Sequence, residues 1–447
     1  MSEIWIGTLC LLVSLVLIQT GMHIGVALML LSFLGVWAMK GIVVAGKLLA
    51  SSVSTSIASD AYAVIPLFVL MGLFVSATRM GRDTFDVAAL ALGRVRGGLG
   101  MATVAANAVF AACTGTTIAS ASVFTKVAVP EMIRHGHTAK FSVGVVAGSS
   151  VLGMLIPPSI LMIIYGVIAN ASIADLFKSG ILPGILLAIA FCATIAFMAH
   201  FKPGFVVTNA DALKSDYRGP LAGASALVVA GKFLPIVILV GTVLGGIYGG
   251  FLTATEAGGA GALAALLIAL ARGEMTVKIF WEVALETGRV TAAICFLLMA
   301  AALYAQMLTL SGLPFTIGQW LQTAELPFLS ILIGYLAVVI VLGCFLDSVS
   351  IMLIVLPFVI PVFDTLGVDL VWFGLITIIA IEIGLLTPPL GLAVFVVKAN
   401  LEDQSITTWQ IFMGTMPMTI TMVVVLVICV LFPWLALAPV GVSWTWW

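Results

Sequence analysis

The chain has 447 residues, formal charge −1 and mean hydropathy +1.28, and 62% of it is hydrophobic. Charged residues make up 8%, against about 25% in soluble domains. That excludes a water-soluble multidomain protein, a disordered chain and a disulfide scaffold, and it gives no global attraction to nucleic acid. A multi-spanning α-helical membrane protein remains.

From the N-terminus, Ile4–Ile18 is the first of many apolar runs, and Thr419–Leu437 is among the last. About twenty apolar residues cross the hydrocarbon as a helix. A β-barrel strand would instead alternate apolar and polar over about ten. The opening Met-Ser-Glu-Ile-Trp lacks a basic n-region, so the first run is expected to be retained. Gly41–Ala58 and Asp83–Arg94 are expected to skim the membrane surface. Gly41-Ile-Val-Val-Ala-Gly46-Lys47 nearly spells a P-loop, but Leu48 stands where Ser or Thr must hold Mg²⁺. Six cysteines lie in apolar surroundings without a CxxC pair and read as small core residues. His135 and His137, beside Arg134 and without acidic or Cys companions, read as solvated loop residues.

Gly153-Met-Leu-Ile-Pro157-Pro158 returns 231 positions later as Gly384-Leu-Leu-Thr-Pro388-Pro389. The same offset places Gly81 on Gly312, Cys113 on Cys344, Pro130 on Pro361 and Leu155 on Leu386. The chain therefore reads as two copies of one unit, about 1–200 and 233–435, joined by the polar stretch His200–Lys232. Arg79, Arg82, Arg94 and Arg96 precede one apolar stretch of the first copy, and Arg134 and Lys140 follow it. The matching flanks of the second copy have no Lys or Arg, and none occurs between Arg289 and Lys398. By the positive-inside rule the second copy is inverted, a signature of secondary transporters.

Gly98–Ile133 begins and ends on one side, and its middle is Cys113-Thr-Gly-Thr-Thr-Ile-Ala-Ser-Ala-Ser122. The counterpart is Leu342-Gly-Cys-Phe-Leu-Asp347-Ser-Val-Ser350. Polar turns at depth must line protein or water, so both read as re-entrant hairpins with tips near the midplane; ordinary tight helix pairs are the alternative. Each Pro-Pro pair should stop a helix, leaving an unwound bridge whose carbonyls can hold cations. Asp347 and Glu382 are conspicuous carboxylates in apolar stretches. Each is expected to have a partner or line a cavity, because an unpaired buried acid is costly.

The Thr-Gly-Thr-Thr tip, the loop Pro130-Glu-Met-Ile-Arg-His-Gly136, and Gly153-Met-Leu-Ile-Pro-Pro-Ser-Ile-Leu-Met-Ile-Ile-Tyr-Gly166 occur in that order. Thr253-Ala-Thr-Glu256-Ala, Ser311-Gly-Leu-Pro and Gly-Leu-Leu-Thr-Pro-Pro-Leu-Gly391 follow. Together they resemble the large membrane subunit of a TRAP (tripartite ATP-independent periplasmic) transporter, of the ion-transporter superfamily. The Trp444-Thr-Trp-Trp447 tail lies outside the likeness and reads as an interfacial anchor.

The resemblance implies an all-α inverted-repeat elevator with two discontinuous helices, in the bacterial inner membrane. It imports an anionic organic acid, such as a C4-dicarboxylate or a sialic or sugar acid, with sodium as coupling ion and no other cofactor. A small four-helix subunit and a periplasmic binding protein are its expected partners. A scaffold (1–97 and 233–328) and a transport domain (98–200 and 329–435) are expected, with 201–232 a cytoplasmic linker. About ten spans and two hairpins follow.

Carried over, one sodium site falls at Thr114 with the carbonyls of Gly153, Ile156 and Pro157. The second falls at Gly343, Gly384, Thr387 and Leu390. Substrate candidates around the tips are Gly115, Thr116, Thr117, Ser120, Asp347, Ser348, Ser350, Pro158, Pro388 and Pro389. Glu256 matches a family motif and reads as a brace for the scaffold. Rival readings fit poorly. An intramembrane aspartyl protease would pair Asp60 with Asp347, but neither lies in a Gly-x-Gly-Asp setting and no Gly-x-Ser-x-Gly nucleophile occurs. A channel would use the tips as a filter.

Overall fold

The structure, a computed structural model, describes residues 2–208, 221, 223–324 and 326–442; positions 209–220 and 222 of the linker and the Trp-rich tail lie outside them. The described residues are helical, with one isolated bridge between His137 and Val207. The first copy comprises α1 Glu3–Gln19, α2 Ile24–Lys40, α3 Ile42–Ile57, α4 Val64–Ser76, α5 Met80–Leu92, α6 Gly98–Thr114, α7 Thr117–Arg134, α8 Ala139–Leu155, α9 Ile160–Ala169 and α10 Ile173–Phe201. The second comprises α11 Ala226–Tyr248, α12 Ala254–Ala271, α13 Val277–Ser311, α14 Leu313–Thr323, α15 Phe328–Gly343, α16 Ser348–Thr365, α17 Leu370–Leu386, α18 Leu392–Asn400 and α19 Thr408–Leu431.

Shifted by 231, α7 coincides with α16 and α8 with α17 at both ends, and the other pairs agree closely around the hairpins. The repeat is therefore structural. Its main departure is at α3 and α4, which meet at 51°, whereas their counterpart α13 is one helix of 35 residues.

Among the described residues six helices are long and apolar enough to cross a membrane, or eight if two bent pairs each count as one span. Five apolar helices of 10–17 residues accompany them, including α1, α2, α6, α15 and α17. The expected ten spans are thus not reached by length alone, because turns and proline breaks cut several apolar runs into shorter pieces.

The helices form two sets of close neighbours, joined where α4 meets α6 and α13 meets α16. In one, α2, α3 and α4 lie against α13, and α4 against α12. In the other, α8 packs on α7 and α19, and α15 on α17. A Cβ on Gly144 would come within 2.2 Å of the Gly414 backbone, so α8 and α19 cross with backbones nearly touching, as small residues permit. Helix starts carry side-chain caps: Thr138, Ser172, Thr253 with Glu256, and Thr407 with Gln410. Glu256 therefore caps α12.

The segment Asp83–Arg94 falls largely in α5, whose acids are held by partners from other elements. Asp83 and Asp86 on α5 are buried. Lys232 of α11 lies 2.9 Å from Asp83 and 2.7 Å from Asp86, and Arg272 also pairs with Asp83. An amphipathic helix whose acids find cations on other elements is clamped rather than solvated. His137 corrects the sequence expectation of a solvated loop residue. It is buried, its Nδ1 lies 3.2 Å from the Met132 carbonyl and its ring stacks on Phe141. Backbone bonds from Thr138 to Val206 and from Thr208 to Gly136 cover the loop. Burial above all, opposed by the bond to the Met132 carbonyl and helped by neighbouring His135, lowers the imidazole pKa to about 4. The cysteines behave as expected: all six are free, and Cys10, Cys113, Cys344 and Cys429 are buried.

Candidate functional site: two hairpin tips on two broken helices

Each helix break follows from proline chemistry. Pro157 and Pro158 have no N–H for the carbonyls of Gly153 and Met154, four residues earlier, and Pro388 and Pro389 none for Gly384 and Leu385. In the first bridge the Ser159 hydroxyl donates to the Met154 carbonyl at 2.6 Å and caps α9. In the second, Thr387 N–H donates back to Gly384 at 2.9 Å. Both Pro-Pro bonds are cis. The axes of α8 and α9 diverge by 41°.

The hairpins present their turns to these bridges. The first turns through Gly115, whose φ of +63° is the left-handed conformation glycine accepts without strain. Thr116 then caps α7, its hydroxyl accepting from Ala119 N–H at 3.3 Å. The second turns through Cys344–Leu346, and Asp347 caps α16 by accepting from Ser350 N–H at 3.2 Å. The Ser350 hydroxyl donates to the same carboxylate. Asp347, 231 positions after Thr116, is thus its structural equivalent, and its carboxylate is engaged within its own hairpin.

Backbone contacts join each tip to its bridge in parallel ways. Ile160 N–H donates to the Gly115 carbonyl and Leu390 N–H to the Cys344 carbonyl, both at 3.2 Å. A Cβ on Gly115 would meet the Pro158 carbonyl oxygen at 2.7 Å, and one on Gly153 the Thr116 carbonyl oxygen at 2.6 Å. In the second unit Gly343 and Gly384 face one another, an added Cβ on either falling within 2.7 Å of the other's Cα. The first sodium candidates, Thr114, Gly153, Ile156 and Pro157, therefore gather at one tip–bridge unit. Gly343, Gly384, Thr387 and Leu390 gather at the other. The Thr114 hydroxyl donates to the Phe110 carbonyl at 3.2 Å and that of Thr387 to Ile383 at 2.7 Å. With each hydrogen occupied, oxygen lone pairs remain for a cation.

The substrate candidates divide. Thr117 and Ser348 converge on one carboxylate, that of Glu382 in α17. Thr117 Oγ1 donates to Oε2 at 2.9 Å and Ser348 Oγ to Oε1 at 3.0 Å. Ser120 is buried with its hydroxyl unpartnered among the described residues. Asp347 borders two cavities. One of about 270 Å³ lies between the second tip and its bridge, reaching Leu390 and Gly391. One of about 330 Å³ lies between that tip and the α1–α2 turn, where His23 lines it. Pattern reading placed neither His23 nor the two-hairpin partnership of Glu382. The second had one sequence signal: Thr117 and Ser348 are themselves 231 positions apart.

Comparison with known proteins shows the family. A family model described as the tripartite ATP-independent periplasmic transporter, DctM component, matches residues 11–435. The C4-dicarboxylate TRAP transporter large permease protein DctM of Pseudomonas aeruginosa is 33% identical over 339 residues, covering 75% of this chain and 76% of that protein. The sialic acid TRAP transporter large permease protein SiaM of Vibrio cholerae is 28% identical over 372 residues, 83% of each. These relatives are named transporter permeases rather than enzymes. Among solved structures, the Alcanivorax borkumensis YdaH transporter is similar in fold, with a TM-score of 0.60 at 12% identity, over 89% of this chain and 90% of that one.

Proposed function

Because this chain belongs to the DctM component family of tripartite ATP-independent periplasmic transporters, we propose that it imports an anionic organic acid with sodium as the coupling ion. It is a multi-pass membrane protein, and the bacterial inner membrane is the reading's location for it. A periplasmic binding protein delivers the acid, and a small four-helix membrane subunit braces the scaffold. The relatives named for C4-dicarboxylates and sialic acid support a carboxylate substrate.

The observation that carries the reading is that a backbone bond joins each tip to its bridge, Ile160 to Gly115 and Leu390 to Cys344. Each unit gathers backbone carbonyls and one threonine hydroxyl, an all-oxygen neutral set that suits a hard monovalent cation. Sodium in both sets gives at least two ions per substrate. The anion lies between the tips, near the starts of α7 and α16, whose amide ends favour negative charge. Both hairpins are re-entrant in this reading, with their tips at mid-depth.

Residues 98–200 and 329–435 then move as an elevator against 1–97 and 233–328. Helices α5 and α14, packed on α6 and α16, are the arms between the two parts.

The test is reconstitution of the large subunit, small subunit and binding protein in proteoliposomes, with a panel of labelled C4-dicarboxylates and sialic acid. An inward sodium gradient should drive accumulation of at least one acid, and a proton gradient alone should not. Equilibration without accumulation would indicate a channel. Full-rate uptake by the large subunit alone would overturn the partnership.

A further inference from the structure

Three acids are buried among the described residues: Asp83, Asp86 and Glu382. The two aspartates face Lys232 or Arg272. Glu382 has hydroxyls for partners instead, one from each hairpin. Thr117 is the first residue of α7 and Ser348 the first of α16, helices of 18 residues each. The positive ends of two helix dipoles therefore converge on one carboxylate. The repeat partner of Glu382 is Val151, so this acid breaks the internal symmetry and serves both halves. Glu382 also sits two residues before Gly384, where α17 meets the second hairpin. One side chain thus links the first tip, the second tip and the second bridge.

We infer that Glu382 is a positioning residue that fixes the two hairpin tips to each other, so that cation occupancy at one tip–bridge unit is transmitted to the other. The inference rests on the sodium-coupled reading above. Its chemistry is specific to a carboxylate. Two acceptor oxygens let both hydroxyls donate inward, leaving the lone pairs of both free. Glutamine has nearly the same shape but one acceptor, so one hydroxyl must reverse and accept from its amide. A role in packing alone would survive that change, whereas a role in holding both donors would not.

The experiment measures initial uptake against sodium concentration for the full assembly in proteoliposomes. The variants are Glu382→Gln, Thr117→Val, Ser348→Ala and the hydroxyl-keeping Thr117→Ser and Ser348→Thr. Each of the first three should raise half-activating sodium at least about fivefold, the low end of ordinary site coupling, and should flatten a cooperative curve. The hydroxyl-keeping pair should restore the wild-type curve. Glu382→Gln combined with Thr117→Val should be no worse than the worse single change, because both break one link. Unchanged sodium curves in the three disruptive variants overturn the inference, as does a lower maximal rate with an unshifted curve. Sodium-independent uptake by the wild type would instead overturn the functional reading and this inference with it.

Discussion

Gly384→Ala is expected to cut uptake by at least about tenfold while the chain still inserts, at a folding cost of about 1–3 kcal/mol from overpacking. The added Cβ would lie 2.5 Å from the Gly343 Cα and 2.6 Å from the Ile340 carbonyl oxygen, whereas carbon atoms rest comfortably at about 3.5–4.0 Å. Both obstructing atoms are backbone, so no rotamer change relieves the clash. Helices α15 and α17 must separate, which pulls the second tip from its bridge and spreads the Gly343, Gly384, Thr387 and Leu390 oxygens. Gly334→Ala on α15 is the control, since nothing lies within 4 Å of its new Cβ. Initial uptake and thermal melting of the two variants, measured side by side, check the prediction. Equal uptake by both would show that the close approach is not needed for transport.

Thr387→Ala removes one oxygen from the second proposed cation set and leaves its carbonyls in place. An unmet ligand position in a buried polar site costs on the order of 1–3 kcal/mol, so half-activating sodium should rise about tenfold or more. Thr114→Ala should do the same at the first set. Both hydroxyls donate to carbonyls of their own helices, Ile383 and Phe110, so alanine leaves no donor stranded and the effect falls on the cation. Affinity for the binding protein, measured separately, should not change. Normal uptake by both variants at limiting sodium would remove the hydroxyls from the coupling sites.

The repeat was legible because proline and glycine act locally. A Pro-Pro pair breaks a helix wherever it occurs, so its recurrence marked equivalent positions before any packing was known, and the ends of α7 and α16 agree with that offset. The tips were legible for the same reason, as runs of hydroxyls and glycine interrupting apolar sequence. Long-range partnership was not legible. Glu382 lies 265 positions from Thr117, and no periodicity relates an acid on α17 to the first turn of α7. The pairing of Asp83 and Asp86 was not legible because Lys232 and Arg272, their partners, arrive from other elements. His137 read as a solvated loop residue because the strip Val206–Thr208 that covers it follows a helix some seventy positions on. In each case the missing information was which distant segment packs above a residue, and burial then decided its chemistry.

The most direct measurement of the central claim is the coupling ratio at thermodynamic balance. The full assembly is held in proteoliposomes at zero membrane potential with a tenfold inward sodium gradient, and the substrate gradient that stops net flux is determined. A tenfold gradient stores about 1.4 kcal/mol per ion. Two occupied tip–bridge units therefore predict balance at about hundredfold substrate accumulation or more. Balance at about tenfold, or a balance point that does not move with sodium, would contradict two sodium sites built on paired hairpins and broken helices.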